Sequence, residues 1–177
     1  LGCPDWPGCY GFAIFPMSEA EIAQANELYP ERKFELEKAV PEVVHRYFAG
    51  FLGLLIIGLF GLSLYLKPFN SLVTKLTGAL VLLVLAQSTF GYLTVSLKLW
   101  PQVVTMHLLG GFATTTLLFL TYMKLKDLDT GSSNSLMISK RSSNLLNFAF
   151  PVLIAQIILG VWLSSNYAAF ACPASVP

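Results

Sequence analysis

No charged side chain occurs in residues 47–66, which read YFAGFLGLLIIGLFGLSLYL. Three further uncharged stretches follow at 76–97, at 103–123 and at 145–163, the last being part of a run that continues to the end of the chain. A bilayer core about 30 Å thick is crossed by about 20 apolar residues of helix. The sequence therefore predicts an all-α fold, a polytopic membrane helical bundle. Its four transmembrane helices are predicted at 43–66, 72–96, 103–123 and 145–169.

The composition of the 177 residues agrees with this prediction. Apolar residues make up 55% of the chain and charged residues only 12%, whereas soluble domains carry about 25% charged residues. Eight of the ten acidic residues lie within residues 1–42. The net charge of +1 provides no basic surface, which excludes nucleic acid as a partner.

Basic residues near the short loops predict the orientation of the helices. Six flank the first and third loops and one lies in the second: Lys67, Lys75, Lys124, Lys126, Lys140 and Arg141 against Lys98. Loops rich in Lys and Arg remain in the cytoplasm, so residues 1–42 are expected outside. An outside N-terminal segment normally follows an earlier helix or a cleaved signal, and we therefore expect another helix before this chain.

The chain contains two histidines, His45 and His107. Each lies near the outer end of a predicted helix that runs inward, about two and four residues from its start. At about 1.5 Å per residue their depths nearly match, so two parallel helices can present both imidazoles to one metal. Haem iron accepts axial His ligands, whereas zinc needs three or four protein ligands. The alternative is that each histidine is only a polar anchor at the membrane interface.

Small residues surround the two histidines. Gly110 and Gly111 follow His107 by three and four positions, and Gly50 lies about one turn below the other histidine. Residues at these spacings share a helix face, so a flat macrocycle can approach closely. Plain helix–helix packing through glycine is the alternative. Gln87, near the middle of its helix, predicts interhelical hydrogen bonding.

Two charged residues accompany His45. Glu42 lies three residues before it, on the same helix face, where a carboxylate can accept protons or stabilise positive charge at a haem edge. Its other interpretation is a carboxylate favoured by the dipole at a helix N-terminus, a start that Pro41 would mark. Arg46 is expected either to pair with a haem propionate or to anchor the helix at the lipid headgroups.

Cysteines mark the predicted outer face. Cys3 and Cys9 enclose the heptapeptide CPDWPGC, and on an oxidising face this predicts a disulfide, structural or redox-active. The tetrapeptide around Cys172, FACP, resembles LGCP at the start of the chain, as if a second copy of the unit began there. The partner of Cys172 would then lie in that second copy. Residues 17–38 alternate acidic and apolar positions, which predicts an amphipathic helix over the outer face.

Four motifs together resemble the haem A synthase family. They are LGCPDWPGC at 1–9, EVVHR at 42–46, PQVVTMHL at 101–108 and SSNYAAFACP at 164–173. The resemblance implies eight helices in two duplicated four-helix halves, of which this chain would hold helices two to five. It implies an extracytoplasmic loop at 1–42, helices of the first half at 43–123, a cytoplasmic connector at 124–144, and the first helix and outer loop of the second half at 145–177.

The resemblance also implies an activity, namely oxidation of the C8 methyl of haem O to the formyl group of haem A. His45 and His107 would ligate the haem substrate or product, and a haem b would occupy the second half. Glu42 would be the catalytic carboxylate, and Cys3 and Cys9 would pass electrons or aid haem transfer. Half of such an enzyme is expected to be inactive alone.

The expected partners are haem O, membrane lipid, haem O synthase, cytochrome oxidase assembly factors and a second copy of the chain. The expected location is a bacterial plasma membrane, with a mitochondrial inner membrane as the alternative. Two other functions are alternatives, and the first explains the histidines equally well but gives Glu42 and the Cys3–Cys9 loop no role. One is a bis-His cytochrome b that transfers electrons, and the other is a non-enzymatic haem-delivery or assembly factor.

Overall fold

The computed structural model describes residues 1–66, 71–131 and 139–166. They form five helices, α1 (Glu19–Leu28), α2 (Leu36–Tyr65), α3 (Ser71–Ser96), α4 (Pro101–Thr130) and α5 (Lys140–Ser165). The only β-type pairing in these ranges is an isolated bridge between Cys9 and Phe12. Helices α2 to α5 have the length and composition to cross a membrane. The predicted all-α bundle with four spans is confirmed.

The four long helices pack in chain order. Helix α3 contacts both α2 and α4, and among the described elements α5 contacts α4 alone. The α2–α3 contact includes Gly53, where an added Cβ would lie 3.3 Å from Val84, and a buried hydroxyl pair, Ser63 Oγ and Thr77 Oγ1, at 3.2 Å. Small residues and hydroxyl bonds hold helices together in lipid, where burial of apolar surface gives little driving force.

Helix α2 begins earlier than the sequence predicts. It was expected to start at residue 43, with Pro41 marking its beginning, but it starts at Leu36 and Pro41 lies inside it. Proline removes one backbone hydrogen bond near the helix start. The helix nevertheless continues, because Ala39 and Val43 are buried against residues 1–35. Packing against residues 1–35 therefore extends α2 beyond its uncharged part.

The end of α4 and the start of α5 also differ from the expected spans. Helix α4 continues to Thr130 and α5 starts at Lys140, so residues 124–130 and 140–144 of the predicted connector are helical. An uncharged stretch measures only the part of a helix that lipid covers, whereas a helix ends where its cap allows. Gly131, with φ of 61°, is in the left-handed conformation that terminates α4. Lys67 and Cys172 lie outside the described residues.

Residues 1–35 fold over the N-terminal end of α2. We call them the outer cap, and that end of the bundle the outer end, because the sequence predicts this segment outside the membrane. The prediction of one long amphipathic helix at 17–38 is wrong, because α1 covers only ten residues. Ser18 and Glu21 form a reciprocal capping box at its start. Pro30 restricts the preceding Tyr29 to non-helical backbone angles, and α1 ends there. The outer cap and α2 share one hydrophobic core, formed by Cys3, Cys9, Tyr10, Ala25, Ala39 and Val43.

Candidate functional site

The two histidines meet at the outer end of the helical bundle. His45 lies on α2 and His107 near the start of α4, and their ring centroids are 6.5 Å apart with the planes at 88°. Helices α2 and α4 are not neighbours in the chain, so this contact depends on α3, which packs between them. The packing of the helices therefore brings together the two imidazoles that the sequence predicted at similar depths.

The environment of His107 fits a metal ligand. Its Nδ1 is buried and, within the described part of the chain, has no hydrogen-bond partner, which is costly for a polar atom unless something else satisfies it. A metal about 2 Å from one nitrogen of each ring needs centroids about 6 Å apart, close to the observed spacing. The described residues contain no group of three or more His, Cys, Asp or Glu side chains capable of holding a metal, so this part of the chain offers a metal the two imidazoles. Haem iron accepts axial His ligands of this kind.

The glycines near the histidines have different surroundings. Gly50 and Gly111 face open space, with nothing within 4 Å of an added Cβ. Gly110 is covered, because an added Cβ would overlap the side-chain amide of Gln87. A Cβ on Gly91 of α3 would lie 3.4 Å from the His107 ring. Gly50 and Gly111 therefore lie on open helix surface, whereas Gly110 accommodates Gln87.

Gly91 lies beside His107 although the sequence did not predict it as part of this site. Gln87 and Gly91 are four residues apart on one face of α3, and His107 and Gly110 are three apart on the facing surface of α4. The matched spacings were visible in the sequence, but only the register of α3 against α4 shows which residue faces which.

The disulfide loop, residues 3–9, closes over α2. Cys3 and Cys9 are bonded, with sulfur atoms 2.07 Å apart, and both are fully buried. The Asp5 carboxylate accepts hydrogen bonds from the backbone N–H groups of Tyr10 at 2.6 Å and Gly11 at 2.8 Å. These bonds satisfy the tight turn that follows the loop, where Tyr10 has φ of 57°.

Tyr10 anchors the outer cap. Its side chain is 1% exposed and packs edge-on against Tyr29 and Phe34, while its hydroxyl donates to the Lys33 carbonyl at 3.1 Å. Burial raises the pKa of the Tyr10 phenol, because the ionised form would lose its hydration. The outer cap is thus a packed unit.

Glu42 and Arg46 connect this loop to the turn that carries His45. Glu42 Oε2 accepts hydrogen bonds from the backbone N–H groups of Gly2 at 2.6 Å and Cys3 at 3.2 Å. Its Oε1 pairs with Arg46 Nη2 at 2.6 Å. Arg46 Nη1 donates to the carbonyls of Asp5 and Gly8 at 3.1 and 2.6 Å, and more weakly to that of Pro7 at 3.4 Å. Arg46 is expected from the sequence at a haem propionate or at lipid headgroups, and its side-chain contacts within the described residues go to Glu42 and the loop.

Four spanning helices with a paired-histidine site at their outer end define a multi-pass helical membrane protein. The chain belongs to the COX15-CtaA family of cytochrome oxidase assembly proteins, because the model of that family matches residues 1–177. It is 44% identical over 174 residues to a protein of Shewanella oneidensis named heme A synthase. That alignment covers 98% of this chain and 51% of the relative, so the chain spans about half the length of the relative. No solved structure matches it significantly.

Proposed function

We propose that this chain forms the first-half site of a haem A synthase and holds haem O between His45 and His107. The observation that carries the proposal is the pairing of the two rings at 6.5 Å, with a buried, unpartnered nitrogen on one of them. The similarity to a protein named heme A synthase supports this choice of haem. In this role His45 and His107 would hold the haem iron, and Gly50 and Gly111 would be candidate contacts of the haem.

We further propose that the reaction oxidises the C8 methyl of haem O to a formyl group. With water as the oxygen source, this conversion releases four protons and four electrons, and the electrons would be taken up in two steps by an external two-electron oxidant. A carboxylate on the helical turn beside a haem ligand is suited to accept such protons. Glu42 is that carboxylate, because it lies three residues before His45 and 19% of its side-chain surface is exposed. Cys3 and Cys9 would act as a redox pair or aid haem transfer.

The proposed setting is a bacterial plasma membrane, with residues 1–42 outside. In this proposal 43–123 belong to the first half of a duplicated enzyme, 124–144 form the cytoplasmic connector and 145–177 begin the second half, which would hold haem b. Haem O synthase, cytochrome oxidase assembly factors and a second copy of the chain are the proposed protein partners. The bacterial relative favours a plasma membrane over a mitochondrial one.

The test is haem extraction from cells that make the complete protein and are supplied with haem O. We expect haem A with the unchanged protein, and at least tenfold less with Glu42→Ala or His45→Ala. Glu37→Gln is the matched control, because Glu37 is an exposed carboxylate on the same helix and should leave the yield unchanged. Bound haem should be measured in parallel from the visible spectrum of the purified protein.

The outcomes separate the competing functions. If no sample contains haem A but the bound haem can be reduced and reoxidised, the protein is a cytochrome b. Reversible haem binding without haem A would identify a delivery factor. Normal haem A yield from Glu42→Ala would remove the catalytic role of Glu42.

A further inference from the structure

Two side chains on one turn of α2 hold both ends of the disulfide loop. Glu42 binds the backbone at its start, through the N–H groups of Gly2 and Cys3. Arg46 binds the backbone near its end, through the carbonyls of Asp5 and Gly8. Glu42 and Arg46 also bind each other at 2.6 Å. The loop is therefore attached to the turn that contains His45, at points on both sides of its centre.

The chemistry of Arg46 suits this position better than that of any other cation. A guanidinium presents five N–H donors in a rigid planar arrangement, whereas lysine offers a single ammonium centre. Arg46 uses one nitrogen for loop carbonyls and another for the Glu42 carboxylate. Its side chain is only 16% exposed, so these charge-assisted bonds are poorly screened by water and are stronger than their surface equivalents.

Close backbone packing adds to the attachment. An added Cβ on Gly2 would overlap the Lys38 carbonyl of α2, so the chain entering the loop lies directly against the helix. Cys3 and Cys9 are fully buried in the core that the outer cap shares with Ala39 and Val43. The attachment therefore depends on the backbone path of the closed loop, because the donors and acceptors are main-chain groups at fixed places along it.

We propose that Arg46 is a positioning residue that couples the Cys3–Cys9 disulfide to the Glu42 carboxylate. The reaction concerned is a two-electron reduction, in which the S–S bond takes up two electrons and two protons from a dithiol and becomes two thiols. Opening the bond lets the loop backbone adopt many conformations, which bind Arg46 and Glu42 less well than the closed one. Because coupling between two equilibria is reciprocal, the contacts of Arg46 stabilise the disulfide, and the disulfide holds Glu42 in place.

The consequence for catalysis rests on the proposed function. If Glu42 accepts protons beside the haem, an open disulfide releases that carboxylate from its backbone donors and from Arg46. The thiol state of the loop would then set whether Glu42 is held at its working position. Arg46 acts in this scheme through Glu42 and the loop, without contact to the haem.

The experiment measures the disulfide itself in the full-length protein in detergent. The protein is equilibrated with graded ratios of reduced to oxidised dithiothreitol, and the thiols are then trapped with a maleimide and counted by mass spectrometry. We expect Arg46→Ala to become half-reduced at a reduced-to-oxidised ratio about tenfold lower than the unchanged protein, equivalent to about 30 mV. Arg46→Lys should shift in the same direction by a smaller amount, because one ammonium cannot replace both sets of bonds.

Lys38→Ala is the matched control. It removes the exposed ion pair with Glu35 on the same helix, at 2.6 Å, and leaves the side-chain contacts of Glu42 and Arg46 in place. We expect its disulfide to be reduced at the same ratio as in the unchanged protein. Equal ratios for Arg46→Lys and the unchanged protein would overturn the proposal, even if Arg46→Ala failed to fold.

Haem A yield measured on the same samples separates this inference from the proposed function. Shifted reduction ratios in the Arg46 variants, together with no haem A from the unchanged protein, would support the coupling and reject the proposed activity. Unshifted ratios in these variants, together with normal haem A from the unchanged protein, would reject the coupling and leave the activity standing.

Discussion

The outer cap and helix α5 differ in how much of their apolar surface the rest of the chain buries. Cys3, Cys9 and Ala25 of the outer cap have no exposed surface, whereas no residue in the apolar part of α5 is buried against the rest of the described chain. The outer cap contains most of the acidic residues and must bury its apolar side chains to avoid water. Helix α5 needs no such burial, because lipid tails are as apolar as its own side chains.

Their polar groups are satisfied differently as well. In the spans, threonine hydroxyls donate back to the carbonyl four residues earlier in the same helix, as Thr114 does to Gly110 and Thr121 to Leu117. In the outer cap, the important bonds join residues about 40 positions apart, as between Gly2 and Glu42. Local bonds form wherever the helix forms, whereas the long-range bonds require the whole outer cap to be folded. Substitutions that affect packing should therefore act most strongly in the outer cap.

The largest effect is expected from Tyr10→Ala, which removes the central side chain of the outer cap. Losing a large buried aromatic costs about 3–5 kcal/mol, so amide hydrogen exchange across residues 1–35 should accelerate about a hundredfold or more. Tyr10→Phe is the control, because it keeps the ring and loses only the hydrogen bond to the Lys33 carbonyl, worth about 1 kcal/mol. Equal exchange rates in the two variants would show that the core does not depend on this ring.

A smaller effect is expected in the spans, where Gly110→Ala should force the Gln87 amide away from α4. Overpacking of this kind costs about 1–3 kcal/mol and should lower the thermal unfolding temperature of the detergent-solubilised protein. Gly111→Ala is the adjacent control, because its Cβ enters open space and only the higher helix propensity of alanine changes the stability, as a gain of about 0.5–1 kcal/mol. The close contact between α3 and α4 would be contradicted if both variants unfolded at the same temperature.

The smallest effect concerns the start of α1, at the solvent-exposed edge of the outer cap. Backbone N–H groups of Met17 and Ser18 lower the pKa of Glu21 below its usual 4.5. A lowered folded-state pKa means that the stabilisation is present above pH 4.5 and is lost as the pH falls through the lowered pKa. The protection of the Met17 and Ser18 amides against hydrogen exchange, relative to the unfolded chain at the same pH, should fall in that acid range. Glu21→Gln should lose this pH dependence, and Glu27→Gln, later in the same helix, should retain it.

The site was only partly predictable from the sequence, for reasons visible in single residues. His45 and His107 could be paired in advance, because helix rise converts sequence position into membrane depth. The contacts of Arg46 with the loop could not be predicted, because its partners there are backbone carbonyls whose positions depend on the path of the disulfide loop. Gln87 and Gly110 likewise meet only in one register of α3 against α4, and many registers satisfy the same apolar pattern.

The sequence by itself determined the four spans and the level of the two histidines within them. These features follow from hydrophobicity and the fixed rise of a helix, both of which are properties of a single segment. The tertiary structure decided where α2 begins, which glycines remain open, and that Glu42 and Arg46 hold the disulfide loop. Those features depend on contacts between segments distant in the chain, and burial of Ala39 and Val43 under the outer cap outweighs the local tendency of Pro41 to start the helix.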